Sequence, residues 1–146
     1  MKIAIACDPN AESAKLELID FINANHLAEV HDLGSDDEIY ANTAIELATR
    51  VAAKEFDKGI LLCGTGIGVS ITANKVKGAY AALAYDVYSA QRCVLSNNAN
   101  IVCMGAFTVG SQTRKSMVKE FLTNEFDVTC ASKPKVDAFV AYDTRR

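Results

Sequence analysis

The sequence predicts a three-layer α/β/α protein built on a doubly wound sheet of five parallel strands. Three observations lead there. Short apolar runs alternate with segments of helical period along the chain. Most of those runs are continuous rather than alternating, as strands covered on both faces are. No proline-, glycine- or serine-rich linker breaks the alternation, and a chain of 146 residues is long enough for one sizeable core.

The elements follow in order. "KIAIAC" (2–7) is a buried-strand run. "ESAKLELIDFINAN" (12–25) places Leu16, Ile19 and Ile22 at helical spacing, widened by Ala14, Leu18 and Phe21. "AEVHDL" (28–33) is the second strand, closed by Gly34 and an acidic loop. "NTAIELATRVAAK" (42–54) reads as a helix capped by Asn42 or Thr43. "KGILLC" (58–63) is the third strand, and a helix starts near Ile67. "GAYAAL" (78–83), a helix over 86–96 capped by Asp86, "NIVCMG" (100–105) and a helix over 111–126 capped by Ser111 complete the alternation. Residues 1–126 thus form one Rossmann-like domain, and 127–146 read as a tail or short helix that packs on a partner subunit.

Composition narrows the function classes. The net charge of −3 supplies no basic footprint for nucleic acid or an anionic membrane. No apolar run approaches the roughly 20 residues of a membrane span, and the opening "MKIAIAC" enters a strand pattern without signal-peptide architecture, so a cytoplasmic location is expected. The five cysteines have no C-x-x-C spacing and there are only two histidines, so neither a metal centre nor a disulfide framework is expected.

Doubly wound sheets bind ligands beyond the carboxyl ends of their strands. The candidates are therefore Cys7-Asp8, Cys63 with its glycines, Tyr85-Asp86, and Gly105 onward. The glycine loop "CGTGIG" lacks the G-x-G-x-x-G fingerprint after the first strand and the Gly-Lys-Ser/Thr of a phosphate-binding P-loop. What remains is a strand, a row of open backbone N–H groups and a helix N-terminus, a geometry that holds an anion; a tight turn that merely needs glycine angles is the plainer alternative. Cys63 stands at the mouth of that loop and can act as nucleophile or base, or be a buried structural cysteine, as Cys93 and Cys103 are read to be. A C-x5-R phosphatase loop is excluded, because position 69 is Val69. Asp8 is either a site residue or a helix cap. "SNNAN" (96–100) precedes the fifth strand, so it lies at the far end of the sheet and reaches a site only in a neighbouring subunit.

Taken together, "GILLCGTGIGVSITANKVKG", "AALAYDVYSA" and "SNNANIVCMGA" resemble the ribose-5-phosphate isomerase B family, which includes the two-subunit galactose-6-phosphate isomerases. The resemblance runs over roughly residues 1–126. It implies a metal-free, cofactor-free aldose–ketose isomerase of a phosphosugar, working through a cis-enediol in a homodimer, or tetramer, with shared sites. Cys63 would be the proton shuttle, and the amides of Gly64, Gly66, Ile67 and Gly68 the oxyanion hole. Thr65 would help move the hydroxyl proton. Asp8, Tyr40 and Asn97 would hold the substrate, Asn97 across the dimer, and Lys133 and Lys135 are weak matches to the phosphate-binding arginines. Arg92, Arg114, Arg145 and Arg146 are further candidates for that grip.

The sequence departs from the family pattern at telling places. Pro9 and Ser96 stand where the family usually has histidine, Ala41-Asn42 follow Tyr40 where Pro-Asp is usual, and Phe107 replaces a phosphate-binding arginine. A tetrose phosphorylated on O4 cannot close a furanose ring and needs no ring-opening acid, so these changes resemble a branch that isomerises erythrulose 4-phosphate. Two other assignments stay open at this stage: one subunit of a heteromeric galactose-6-phosphate isomerase, and a phosphocysteine carrier domain of sugar transport.

Overall fold

The computed structural model describes residues 1–146. Five strands alternate with helices in the order β1 (Lys2–Cys7), α1 (Glu12–Ala24), β2 (Glu29–Asp32), α2 (Tyr40–Ala52), β3 (Lys58–Cys63), α3 (Ile67–Ala73), β4 (Ala81–Leu83), α4 (Val87–Leu95), β5 (Ile101–Gly105), α5 (Ser111–Thr123) and α6 (Lys133–Arg145). A single 3-10 turn, Pro9–Ala11, links β1 to α1. All pairings are parallel and the strand order is β2-β1-β3-β5-β4, the doubly wound sheet expected from the continuous apolar runs.

Strand periodicity sorts the core into two layers. Ile3, Ile5, Ile60, Leu62, Val102 and Met104 point to one face, where Leu18 and Ile22 of α1 and Met117, Val118 and Phe121 of α5 cover them. Ala4, Ala6, Leu61, Cys63, Ile101 and Cys103 point to the other, under Leu47, Ala48 and Val51 of α2 and Val69 of α3. Each fully buried Leu, Ile or Phe side chain is worth about 1.5–3 kcal/mol of transfer free energy. Gly59 lets α2 lie close on β3, since a Cβ there would sit 2.5 Å from Leu47 Cδ2.

Several boundaries differ from the sequence expectation, each for a local reason. Helix α2 begins at Tyr40, so Asn42 and Thr43 lie inside it rather than capping it. Asp37 serves its first turn instead, accepting from the Ile39 N–H at 2.7 Å and from Asn42 Nδ2 at 2.9 Å. Gly110, not Ser111, caps α5, and the Ser111 hydroxyl donates to Glu17 of α1. Strand β4 is shorter than "GAYAAL" because its first residues bond elsewhere: the Gly78 N–H donates to Asp143 Oδ2 at 2.8 Å and the Tyr80 N–H to Asn100 Oδ1 at 2.8 Å. Asp86 does cap α4, accepting from the Ser89 N–H at 2.7 Å.

The segment expected as a tail or short helix contains the 13-residue α6. It is fastened to its own chain through Asp143, through Lys77 Nζ donating to the carbonyls of Thr144 (2.6 Å) and Arg146 (3.1 Å), and by edge-on packing of Phe139 against Tyr80. No helix is long and apolar enough to cross a membrane.

Candidate active site

The strand order reverses between β1 and β3: the chain first runs outward to β2, then crosses β1 to place β3 on its other side. A crevice opens at such a switch point, beyond the carboxyl ends of the strands. Asp8 leaves β1 there and Cys63 ends β3, with Cys7 paired to Leu62 across the ladder.

The loop after Cys63 is folded around the sulfur. Gly66 adopts a left-handed conformation, φ +80°, and turns its N–H to donate to Cys63 Sγ at 3.1 Å. Helix α3 begins at the next residue. The Thr65 hydroxyl oxygen accepts from the Ile67 N–H at 3.3 Å. The neighbouring strand locks the loop: the Ala106 N–H donates to Cys63 O at 2.9 Å and the Phe107 N–H to Gly64 O at 3.0 Å. A side chain at Gly105 would strike Thr108 and, at 2.8 Å, the carbonyl of Thr65, so glycine is required where β5 passes the loop.

Asp8, Tyr40, Cys63, Gly64, Thr65, Ile67 and Gly68, seven residues singled out in the sequence, line one open pocket of about 510 Å³ together with Ile71 and Phe107. Gly66 lies buried behind them. Ile71 was not singled out, although its place one turn beyond Ile67 on α3 is a readable signal. Asp8 is 7 % exposed, and its Oδ1 is buried without a hydrogen-bond partner in the chain. It therefore caps nothing with its side chain, and the helix-cap alternative falls away.

Other candidates lie elsewhere. Asn97 lines a separate groove of about 290 Å³ with Tyr80 and Phe139. Lys133 and Lys135 start α6, and Lys133 pairs with Asp137 at 2.5 Å. Arg114 is buried, paired with Glu17 at 3.2 Å, and Arg146 is paired with Asp143, so neither is a free phosphate grip. Arg92 Nη2 donates to the Ser96 hydroxyl. No lysine or arginine lines the pocket itself.

Three further thiols are buried. Burial pushes Cys7 up to about 12, against the opposing pull of Lys15. Burial pushes Cys93 up to about 11, and Cys103 is driven up by burial with the adjacent Cys63 adding to it. None of the three lines the pocket, Cys7 of the Cys7-Asp8 pair included. No group of three or more His, Cys, Asp or Glu side chains forms a metal-binding cluster.

A family model described as Ribose/Galactose Isomerase matches residues 3–139. The chain is 45 % identical to D-erythrulose-4-phosphate isomerase 2 of Mycolicibacterium smegmatis, over 98 % of this chain and 97 % of that protein. It is 38 % identical to Ribose-5-P isomerase B of Listeria innocua, over 99 % of both chains. The solved type B ribose 5-phosphate isomerase of Trypanosoma cruzi superposes with a TM-score of 0.93 at 32 % identity, covering 100 % of each chain. That of Leishmania infantum gives 0.91 at 34 % identity, over 99 % of this chain and 97 % of that one. The chain belongs to the ribose/galactose isomerase family.

Proposed function

We propose that the chain is a sugar-phosphate isomerase that interconverts an aldose and a ketose of a small phosphosugar through a cis-enediolate, with Cys63 as the base. The observation that carries the reading is Cys63 Sγ at the pocket wall, held by the Gly66 N–H at 3.1 Å beside a row of glycine amides. The thiolate removes a proton from the carbon next to the carbonyl. The negative charge that develops on the carbonyl oxygen is met by the N–H groups of Gly64 and Gly68, which are not engaged by the loop itself as those of Gly66 and Ile67 are. The same sulfur returns the proton to the neighbouring carbon, and Thr65 passes the hydroxyl proton between the two oxygens. Atoms and charge balance without a cofactor. The unpartnered Asp8 Oδ1 accepts a substrate hydroxyl.

The pocket lining offers no cation for the phosphate, so that group is held from outside it. We assign this to a second copy of the chain, which brings Asn97 and the lysines of α6, Lys133 and Lys135, to the site. Such a molecule is a homodimer, or a tetramer built from it. The preferred substrate is a tetrose such as erythrulose 4-phosphate. Pro9 and Ser96 leave neither of the family's histidines to open a furanose ring, and the Mycolicibacterium relative carries the matching name.

The test is a panel of tetrose, pentose and hexose phosphates assayed with the purified chain and with Cys63→Ala. Turnover of the tetrose by the purified chain alone, lost in Cys63→Ala, is expected. Retained turnover in Cys63→Ala refutes the base, and a clearly higher kcat/KM on the pentose refutes the tetrose preference.

A further inference from the structure

Phe107 lines the pocket and takes no part in the proton transfer. It stands on the turn after β5, and the residue is 74 % exposed. The backbone beneath it is nonetheless firmly tied. Its own N–H and that of Ala106 bond to the Cys63–Gly64 loop, and the Val109 N–H donates to Gly105 O at 3.2 Å. From below, the buried Arg114 donates to the carbonyls of Ala106, at 3.2 Å, and Val109, while its other arm holds Glu17. The turn 105–109 is thus a rigid platform, and it presents a large apolar ring to solvent.

The ring lies on Gly64: a Cβ there would stand 3.0 and 3.1 Å from two of its atoms. At the other end of the loop the Tyr40 ring lies on Gly68, where a Cβ would stand 2.6 Å away. Two aromatic rings therefore bracket the amides. Tyr40 carries a hydroxyl that can serve a polar substrate; Phe107 has no polar atom.

We propose that Phe107 is a specificity-determining residue, an apolar wall that limits the carbon chain the pocket accepts to that of a tetrose phosphate. This rests on the isomerase reading. The reacting carbons must sit between Cys63 and the loop amides whatever the sugar, so a difference in length is felt only further along the chain. A tetrose lays C–H groups on the ring and removes its apolar surface from water. An additional carbon brings an additional hydroxyl, which loses water against the ring and finds no partner there. A purely apolar wall discriminates by roughly 10–100-fold rather than absolutely.

The experiment compares kcat/KM for erythrulose 4-phosphate and ribulose 5-phosphate in wild type, Phe107→Leu and Phe107→Ala, with folding checked by circular dichroism. The wild type favours the tetrose, Phe107→Leu keeps most of the preference, and Phe107→Ala lowers the tetrose-to-pentose ratio by roughly tenfold. A wild-type preference for the pentose overturns the proposal, as does a ratio that Phe107→Ala moves by less than about twofold. A wild type that turns over neither sugar removes the isomerase reading along with it, whereas an active wild type with an unmoved ratio removes the role of Phe107 alone.

Discussion

Replacing Gly66 by alanine separates the backbone role of the loop from its chemistry. The residue has φ +80°, and an alanine Cβ would stand 2.7 Å from the Met104 carbonyl carbon, 3.0 Å from its Cα and 2.9 Å from Leu83 Cδ1. Two of those atoms belong to the backbone of β5, a strand hydrogen-bonded on both sides. The left-handed conformation costs an L-residue about 1–2 kcal/mol. The overlap adds about 1–3 kcal/mol, as overpacking does in a closed core. For a domain of this size each kcal/mol lowers Tm by about 2–4 °C, so a drop of roughly 5–20 °C is expected in a thermal melt followed by far-ultraviolet circular dichroism. Gly34→Ala is the internal control: its φ is +103° but nothing lies within 4 Å of the added Cβ, so it reports the backbone cost alone. If Gly66→Ala melts no lower than Gly34→Ala, the close approach of β5 to the loop is not what demands glycine there.

Other expectations are more local. In Gly68→Ala the atoms nearest the added Cβ all belong to the exposed Tyr40 ring, which can swing away; Tm should hold while kcat/KM falls as Tyr40 leaves the pocket, and a lowered Tm with intact kinetics would contradict this. Alkylation of the folded protein with iodoacetamide near pH 8, read by peptide mass spectrometry, should label Cys63 and Cys130 but not Cys7, Cys93 or Cys103, which label only after denaturation. Glu17 is held down to about 2 by Lys115, then Ser111, with Arg114 contributing. A carboxylate depressed by folding stabilises above its unfolded value and loses that contribution as pH falls through the folded one. Tm should therefore decline between about pH 4.5 and 2, and Glu17→Gln should flatten that limb; an unchanged acid profile would show that Glu17 does not carry it. Asp143→Ala removes the acceptor of Gly78 and Tyr80 and should expose the segment before α6 to limited proteolysis.

The sheet was readable because each strand carries its own evidence in local sequence: "KGILLC" and "NIVCMG" are apolar on both faces, as strands of a covered parallel sheet are, and helical segments separate them. The site was readable for a related reason. In this topology everything just past a strand converges on one rim, so Asp8 and Cys63 meet without any long-range inference. What stayed hidden depends on contacts between distant residues. Ser111 looks like a cap, but Glu17, ninety-four positions away, takes its hydroxyl. "GAYAAL" looks like a full strand, but Asp143 and Asn100 claim its first amides. Arg114 looks like a free cation until Glu17 and two carbonyls are seen to occupy it.

Asp8 carries a consequence for the life of the protein between turnovers. A buried acceptor with no partner in the chain costs the fold up to about 1–3 kcal/mol, and under the proposed function a substrate hydroxyl offsets that cost. On this reading the site residue works against the stability of the scaffold that carries it. Selection for heat resistance alone would discard this aspartate, so Asp8→Ala should melt higher than wild type when empty and gain less from a bound sugar. Under the proposed function, ligand occupancy thus becomes part of what holds the protein folded.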